Sequence, residues 1–205
     1  TVLEHCYPCL DYISLHQYYG GQEKGTAEFL AQSLDMERYI ETVLNICDYV
    51  RVKKKMSHKI NICFDEWGVW SMSDVQVQKS VEDAPWQTAP AISEQIYTME
   101  DALLFASMLM NFIKRADRVK IACQSLLTNI SSCIMTEEDG GVWVQPVYYP
   151  FALMAKYAHG VTLDTRYTGD TYACSTFETV PCVDHVLVYD RQILDHRATK
   201  KGRYR

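Results

Sequence analysis

Two short strand-like stretches end in side chains that can move a proton or attack a carbon atom. His16 and Tyr18 stand two residues apart at the end of the first stretch, and Asp65 and Glu66 close the second. Because strand side chains alternate, His16 and Tyr18 emerge on one side, and Glu66 shares a side with Phe64 while Asp65 is directed the other way. Glu66 is therefore the better candidate for a catalytic carboxylate.

These polar residues also have plain structural interpretations. His16 can hydrogen-bond within a loop, Tyr18 can pack, and the Asp-Glu pair can cap the helix that follows. Ligands of parallel α/β folds lie outside the carboxyl ends of the strands, where both pairs are expected. The residue types alone leave a catalytic and a structural interpretation open.

The cysteines predict mostly free thiols, because eight in a chain of this length are too sparse for a disulfide scaffold. Cys6 and Cys9 form a CxxC, a pattern shared by redox pairs and by half of a zinc site. Too few residues precede Cys6 for the strand that a redox motif needs, and no second CxxC completes a zinc site. The spacing of His and Cys therefore predicts no metal.

The elements that would position these residues alternate between strand and helix. This order predicts an α/β fold whose parallel strands are joined by right-handed crossovers. The best-marked helix begins at a capping box formed by Thr98 and Asp101. Strands are predicted at 12–16, 59–64 and 119–123, and helices at 34–52, from 98 onward and at 147–159.

Two other regions differ from this alternation. Residues 71–97 are polar, contain Pro85 and Pro90, and predict a long loop that covers a site, with Trp86 facing a ligand. From 171 onward, short alternating runs predict antiparallel strands of a second domain, with a boundary near 165.

Composition argues against two classes of protein. Twenty Lys and Arg against 26 Asp and Glu give a net charge of −6, which argues against a nucleic-acid binder that relies on phosphate neutralisation. No run of about 18 uncharged apolar residues exists to cross a bilayer. Residues 191–205 carry six basic groups and one acidic group, against a net charge of −11 before them. The chain opens without a signal-peptide pattern, and we expect that earlier residues are missing.

Three segments, in order, resemble the family 51 α-L-arabinofuranosidases. The nucleophile motif of that family, usually FDEWNVW, is similar to FDEWGVW at 64–70, with Gly68 in place of the asparagine. The preceding barrel strand of the family is similar to SLHQYYGG at 14–21. Residues 126–160 resemble the family's last barrel strand, its substrate loop and the helix that leads to a β-sandwich. The resemblance covers about residues 10–190.

The resemblance implies that Glu66 is the nucleophile of a retaining glycosidase. Tyr18 matches the tyrosine that hydrogen-bonds this nucleophile, and His16 matches the active-site histidine beside the acid/base group. The implied substrates are arabinan and arabinoxylan, from which the family releases terminal arabinofuranosyl groups. The expected partner is therefore an arabinose-containing oligo- or polysaccharide.

Three further residues are candidates for the substrate site, the first of them by the same resemblance. Gln145 matches the glutamine that contacts the sugar. Trp67 and Trp70 either shape the pocket beside the sugar ring or pack behind it. No cofactor or metal is implied, because hydrolysis by two carboxylates needs none.

The resemblance also implies that the chain is part of a larger enzyme. A (β/α)8 barrel takes about 250 residues, and residues 1–165 are expected to hold only its strands 6 to 8. Residues 166–190 are expected to begin the β-sandwich, and residues 191–205 form a basic tail unlike the family. By analogy with the family, we expect a cytoplasmic location and consider a homo-oligomer possible.

The second carboxylate of the reaction is expected to be absent. The family's acid/base glutamate lies in an Asn-Glu pair on an earlier strand, and no such pair precedes His16. Glu4, Glu137 and Glu138 are poor replacements, so the chain alone is expected to be inactive or nearly so. Two other hypotheses stay open: an assembly piece that needs a separate amino-terminal half, and a barrel hydrolase acting on another furanoside or pyranoside.

Overall fold

The computed structural model describes residues 2–70, 82–83, 86, 88 and 93–190. Pro85, Pro90 and most of the predicted loop around them lie outside the described residues, as does the basic tail at 191–205. Trp86, which was predicted to face a ligand, is fully exposed.

A three-stranded parallel sheet in the order β1-β2-β3 organises the described part of the chain. Two long helices make the crossovers, so the predicted alternation of parallel strands and helices is confirmed. The elements are α1 Val2–Cys6, β1 Tyr12–Tyr19, α2 Thr26–Lys53, β2 Asn61–Val69, α3 Met99–Lys114 and β3 Val119–Gln124.

Several elements are longer than their sequence patterns predict. β1 continues through Tyr19, and β2 continues through Val69, so the residues that were expected to follow these strands belong to them. α2 begins at Thr26, eight residues before the predicted start, because its first two turns add buried Phe29 and Ala31 to the predicted stripe. His16, Tyr18 and Glu66 therefore all lie within the strands.

The helices cover one face of the sheet and bury it. Phe64 and Trp67 of β2 are fully buried and pack in one cluster with Phe29 of α2 and Phe105 of α3. Aromatic side chains of this size dominate the free energy of core burial. None of the helices in the described part of the chain is long and apolar enough to cross a membrane.

α3 starts as its sequence predicts. The Thr98 side chain accepts from the Asp101 backbone N–H, and the Asp101 carboxylate accepts from the Thr98 backbone N–H, so both halves of the capping box are present. Each bond satisfies a donor that the first helical turn leaves free. The Asp101 carboxylate also accepts from Gln22 Nε2 at 2.8 Å, which ties the helix start to the loop after β1.

Short antiparallel sheets follow the parallel unit, as predicted. One of them crosses the predicted boundary at 165, because β6 lies before that position and pairs with β9 beyond it. The division into two domains itself stays a prediction. The remaining elements are β4 Ile134–Thr136, β5 Val142–Val144, α4 Tyr148–Tyr157, β6 Val161–Leu163, β7 Thr171–Tyr172, β8 Val180–Pro181 and β9 Leu187–Tyr189, paired as β4-β5, β6-β9 and β7-β8.

Candidate active site

The central strand of the sheet contains a β-bulge. Ser14 and His16 of β1 are two residues apart, but their partners on β2, Cys63 and Glu66, are three apart. β3 shows a shift of the same size against this part of β2. β2 therefore carries one extra residue at Asp65 relative to both neighbours.

This bulge brings two carboxylates to one face. Phe64 before it and Trp67 after it are both buried under the helices, so the alternation of the strand slips between them. Asp65 and Glu66 both turn away from the helices. The prediction that Glu66 shares a side with Phe64 while Asp65 points the other way is wrong, because it assumed an unbroken pleat.

His16 lies between these two carboxylates. Its Nδ1 is 3.2 Å from Glu66 Oε2, and its Nε2 is 3.2 Å from Asp65 Oδ1. An ionised carboxylate only accepts hydrogen bonds, so a ring nitrogen that binds one must carry a hydrogen. The His16 side chain is 54% exposed, which leaves the group open to solvent and to a ligand.

Tyr18 holds the other oxygen of Glu66. Its hydroxyl donates to Glu66 Oε1 at 2.8 Å. Burial and the neighbouring carboxylate raise the pKa of Tyr18 to about 12, although a hydrogen bond with Ser125 acts in the opposite direction. Tyr18 therefore keeps its proton at neutral pH and acts as a donor to Glu66.

Asp65 has a partner of its own. Ser14 Oγ donates to Asp65 Oδ1 at 2.7 Å. That hydrogen bond is the main cause that lowers the pKa of Asp65, and His16 contributes in the same direction. Asp65 is consequently ionised at neutral pH and presents a fixed negative charge to the imidazole.

Trp70 lies at the rim of the group, just after β2. Its ring meets Tyr18 edge-on, with ring centroids 6.1 Å apart, and its backbone N–H donates to the Tyr19 carbonyl at 2.7 Å. A Cβ on Gly20 would overlap the Trp70 carbonyl oxygen, so this approach of the two strand ends requires glycine. At Gly68 a Cβ would stand 3.5 Å from the Tyr18 ring, which is ordinary contact, so the backbone there admits a side chain.

Trp67, which was expected either beside the sugar or in the core, lies in the core. Its side chain is fully buried, and its ring centroid is 4.6 Å from that of Phe105 and 4.9 Å from that of Phe112. Of the two alternatives that the sequence left open for Trp67, packing behind the pocket is the one that the structure shows.

Gln145 is also fully buried, at a distance in the chain from the strands that carry the other candidates. Its Oε1 accepts from the Tyr97 N–H at 2.8 Å, and its Nε2 donates to the carbonyls of Gln95 and Ser132, both at 2.9 Å. The amide thereby links the segment before α3 to the loop after β3. Its predicted contact with a sugar stays a prediction.

Sequence reasoning missed Ser14 and placed Asp65 on the wrong side of β2. A signal for Ser14 was present, because it stands two residues before His16 and has the same parity along β1. No signal for the orientation of Asp65 was present, because a bulge arises from the pairing with both neighbouring strands.

The group around Glu66 is separate from a cavity elsewhere in the described residues that could hold a small molecule. Within the described residues there is no group of three His, Cys, Asp or Glu placed to bind a metal ion. A cavity of about 430 Å³ lies between α2, α3 and the β7-β8 hairpin, with Leu34, Met110 and Tyr172 in its wall. None of the residues that line it belongs to the group around Glu66.

Sequence comparison finds similarity to α-L-arabinofuranosidases. Residues 65–201 match the model of the α-L-arabinofuranosidase C-terminal domain. The chain is 44% identical over 189 residues to an intracellular exo-α-(1→5)-L-arabinofuranosidase of Halalkalibacterium halodurans, covering 92% of this chain and 37% of the relative. It is also 44% identical over 191 residues to a Bacillus subtilis enzyme of the same name, covering 93% and 38%. The chain thus spans little more than a third of these relatives.

Structural comparison agrees. A family 51 α-L-arabinofuranosidase from Bifidobacterium longum superposes with a TM-score of 0.85 at 33% sequence identity. The match covers 93% of this chain and 40% of the other.

Proposed function

This chain belongs to the family 51 α-L-arabinofuranosidases, and from that premise we propose that it supplies the nucleophile side of a retaining α-L-arabinofuranosidase active site. The observation that carries the proposal is the arrangement at Glu66. Its carboxylate lies in the bulge of β2 with Tyr18 on one oxygen and His16 on the other. A carboxylate fixed at both oxygens and open to solvent suits attack on a sugar carbon.

Glu66 acts as the nucleophile in this proposal. One oxygen attacks the anomeric carbon of an arabinofuranoside, the bond to the leaving oxygen breaks, and an arabinosyl ester forms on Glu66. Tyr18 keeps its proton and orients the carboxylate, and His16 holds the second oxygen. Water then cleaves the ester with the help of a second carboxyl group about 5 to 5.5 Å away.

We place that second carboxyl group outside these 205 residues, because the chain spans 37% of the relative it matches. Glu4 does not fill the role in this proposal, because its carboxylate pairs with Lys53. Glu137 and Glu138 lie in the turn between β4 and β5. Without the second group, protonation of the leaving group and activation of water are each lost at a cost of about 10² to 10⁴ in rate.

Of the predicted sugar contacts, we retain Trp70 in the proposal. It stands at the rim beside Tyr18, whereas Trp67 and Gln145 are fully buried. A sugar would reach Gln145 only if the segment around Tyr97 moved, because that amide already binds three backbone groups.

The fold assignment follows the same premise. We propose that β1, β2 and β3 are strands 6 to 8 of a (β/α)8 barrel, whose sites lie at the carboxyl ends of its strands. The short sheets after α4 would then begin the β-sandwich. The relatives named intracellular exo-α-(1→5)-L-arabinofuranosidases support terminal arabinosyl groups as the substrate and a cytoplasmic location.

A second candidate function is an assembly piece that completes a barrel with a separate amino-terminal half. The face of the sheet opposite the helices supports this hypothesis, because Tyr12 is 43% and Ile121 is 40% exposed there. Partly exposed apolar side chains beside unpaired strand edges favour association.

An aryl arabinofuranoside whose leaving group needs no protonation tests the proposal. We expect the purified chain to retain an arabinosyl group, detected as an increase in intact mass, because formation of the ester does not need the absent acid. The increase should disappear in Glu66→Ala and persist in Glu178→Ala, which removes an exposed carboxylate of the β7-β8 hairpin. A folded chain that gains no mass would overturn the proposal and favour the assembly piece.

A further inference from the structure

The β-bulge places Asp65 where an unbroken strand would not. We infer that Asp65 and Ser14 are positioning residues that hold the His16 ring against Glu66. The inference rests on the proposed function of Glu66, and it assigns to the reaction two residues that sequence reasoning did not place beside His16.

The contacts form a continuous chain of hydrogen-bonding groups. Ser14 Oγ donates to Asp65 Oδ1 at 2.7 Å, the same oxygen lies 3.2 Å from His16 Nε2, and His16 Nδ1 lies 3.2 Å from Glu66 Oε2. A ring held at both nitrogens can neither flip nor rotate about its Cβ–Cγ bond without losing a contact to a charged group. Asp65 therefore fixes the orientation in which Nδ1 faces Glu66.

Among the described residues, Asp65 is the polar partner that lies at Nε2 of this ring. The side chain is 54% exposed, so packing does not immobilise it. The charged groups that face the ring are the carboxylates of Asp65 and Glu66, and the Tyr18 hydroxyl lies on the far oxygen of Glu66. Removal of Asp65 would leave His16 held at one nitrogen.

Ser14 acts one step further away. Its hydrogen bond is the main cause that keeps the pKa of Asp65 low, so Asp65 stays ionised and continues to accept from the ring. The hydroxyl also limits rotation of the carboxylate, because it binds the oxygen that faces His16. Loss of Ser14 should therefore loosen the ring less than loss of Asp65.

Acylation of histidine by diethyl pyrocarbonate tests the inference without any sugar. The reagent attacks a ring nitrogen that is free of a hydrogen bond, and peptide mass mapping separates His16 from the other histidines. In Asp65→Ala we expect the rate of His16 acylation at pH 7 to rise about tenfold, the factor that loss of one charge-assisted hydrogen bond allows. Asp65→Asn retains an acceptor and should give a smaller rise, as should Ser14→Ala.

The matched controls are Asp11→Ala and Ser57→Ala, which remove exposed side chains outside the group formed by Ser14, Asp65, His16 and Glu66. Both should keep the wild-type acylation rate. Circular dichroism reports whether each variant folds. If Asp65→Ala does not fold, the single variants Asp65→Asn and Ser14→Ala carry the test. Wild-type acylation rates in folded Asp65 and Ser14 variants would overturn the inference.

The arabinosylation rate of Glu66 gives the second readout. It should fall about tenfold in Asp65→Ala, because a misaligned ring no longer holds Glu66 in place. Faster acylation with unchanged arabinosylation would overturn the link to Glu66. A wild-type chain that takes up no arabinosyl group refutes the proposed function, and the acylation rates then still decide whether Asp65 holds His16.

Discussion

The two faces of the β1-β2-β3 sheet differ in what holds their side chains in place. On the face covered by α2 and α3, Phe64 and Trp67 are fully buried and fixed by packing. On the opposite face, His16 and Glu66 are half-exposed and are held by polar contacts: His16 Nδ1 lies 3.2 Å from Glu66 Oε2, and the Tyr18 hydroxyl donates to Glu66. One strand, β2, supplies both sets because its bulge moves two consecutive carboxylates out of the core.

The two faces therefore contribute to different properties, the covered face to the stability of the fold and the opposite face to reactivity. Burial of large apolar side chains supplies the main free energy of folding, whereas hydrogen bonds between exposed groups contribute little. Substitutions on the covered face should therefore lower the free energy of unfolding, and substitutions on the opposite face should change reactivity.

The largest expected effect belongs to Trp67→Ala. It opens a cavity between β2, Phe105 and Phe112, and large-to-small changes of this kind cost about 3 to 5 kcal/mol. Urea denaturation of Trp86→Ala is the matched control, because Trp86 is fully exposed and its loss should change the free energy of unfolding by less than about 0.5 kcal/mol. Equal effects of the two changes would contradict the burial of Trp67.

The covered face is also the part of the fold that the sequence predicts well. α3 is marked by a capping box and an apolar stripe, which are local signals, and β3 differs from its predicted range by one residue. Parallel pairing followed from the order of elements. Periodic burial repeats over many residues, so the loss of one position does not obscure it.

The site was less predictable, for a physical reason. His16 and Tyr18 both contact Glu66, but the bulge that turns Asp65 toward them depends on the register of β2 against both neighbours. Gln145 matched a sugar-binding position, yet its amide binds backbone groups from two distant segments. Contacts of this kind are set by tertiary structure and leave no periodic trace in the sequence.

Gln145→Leu tests whether this residue belongs to the fold or to the sugar site. The change leaves the Tyr97 N–H and the carbonyls of Gln95 and Ser132 without their partner, so we expect a loss of about 2 kcal/mol by urea denaturation. Gln32→Leu removes one hydrogen bond, to the Gly20 carbonyl, and should cost less than about 1 kcal/mol. Normal stability with slower arabinosylation of Glu66 would instead identify Gln145 as a sugar contact.

The smallest effect concerns a charged pair at the edge of the covered face. Arg118 is 6% exposed and donates to Asp48 Oδ2 at 2.9 Å and to the Ile60 carbonyl at 2.8 Å. Burial by itself raises the pKa of Asp48, but the hydrogen bond and charge of Arg118, together with the charges of Arg51 and Lys59, outweigh it, so the pKa in the folded state lies below its ordinary value. A carboxyl group of this kind stabilises the folded state above the unfolded-state pKa, about 4.

The contribution of Asp48 should therefore be present at pH 7 and decline as the pH falls through the folded-state pKa. Because solvent screens the half-exposed Asp48, we expect Asp48→Asn to lower the free energy of unfolding by no more than about 1 kcal/mol at pH 7. The difference from wild type should shrink below about pH 4 and vanish in stronger acid. As a control, Asp11→Asn changes an exposed aspartate, and its free energy of unfolding should equal that of wild type at every pH. A difference between Asp48→Asn and wild type that grows on acidification would show that Arg118 does not stabilise the ionised Asp48.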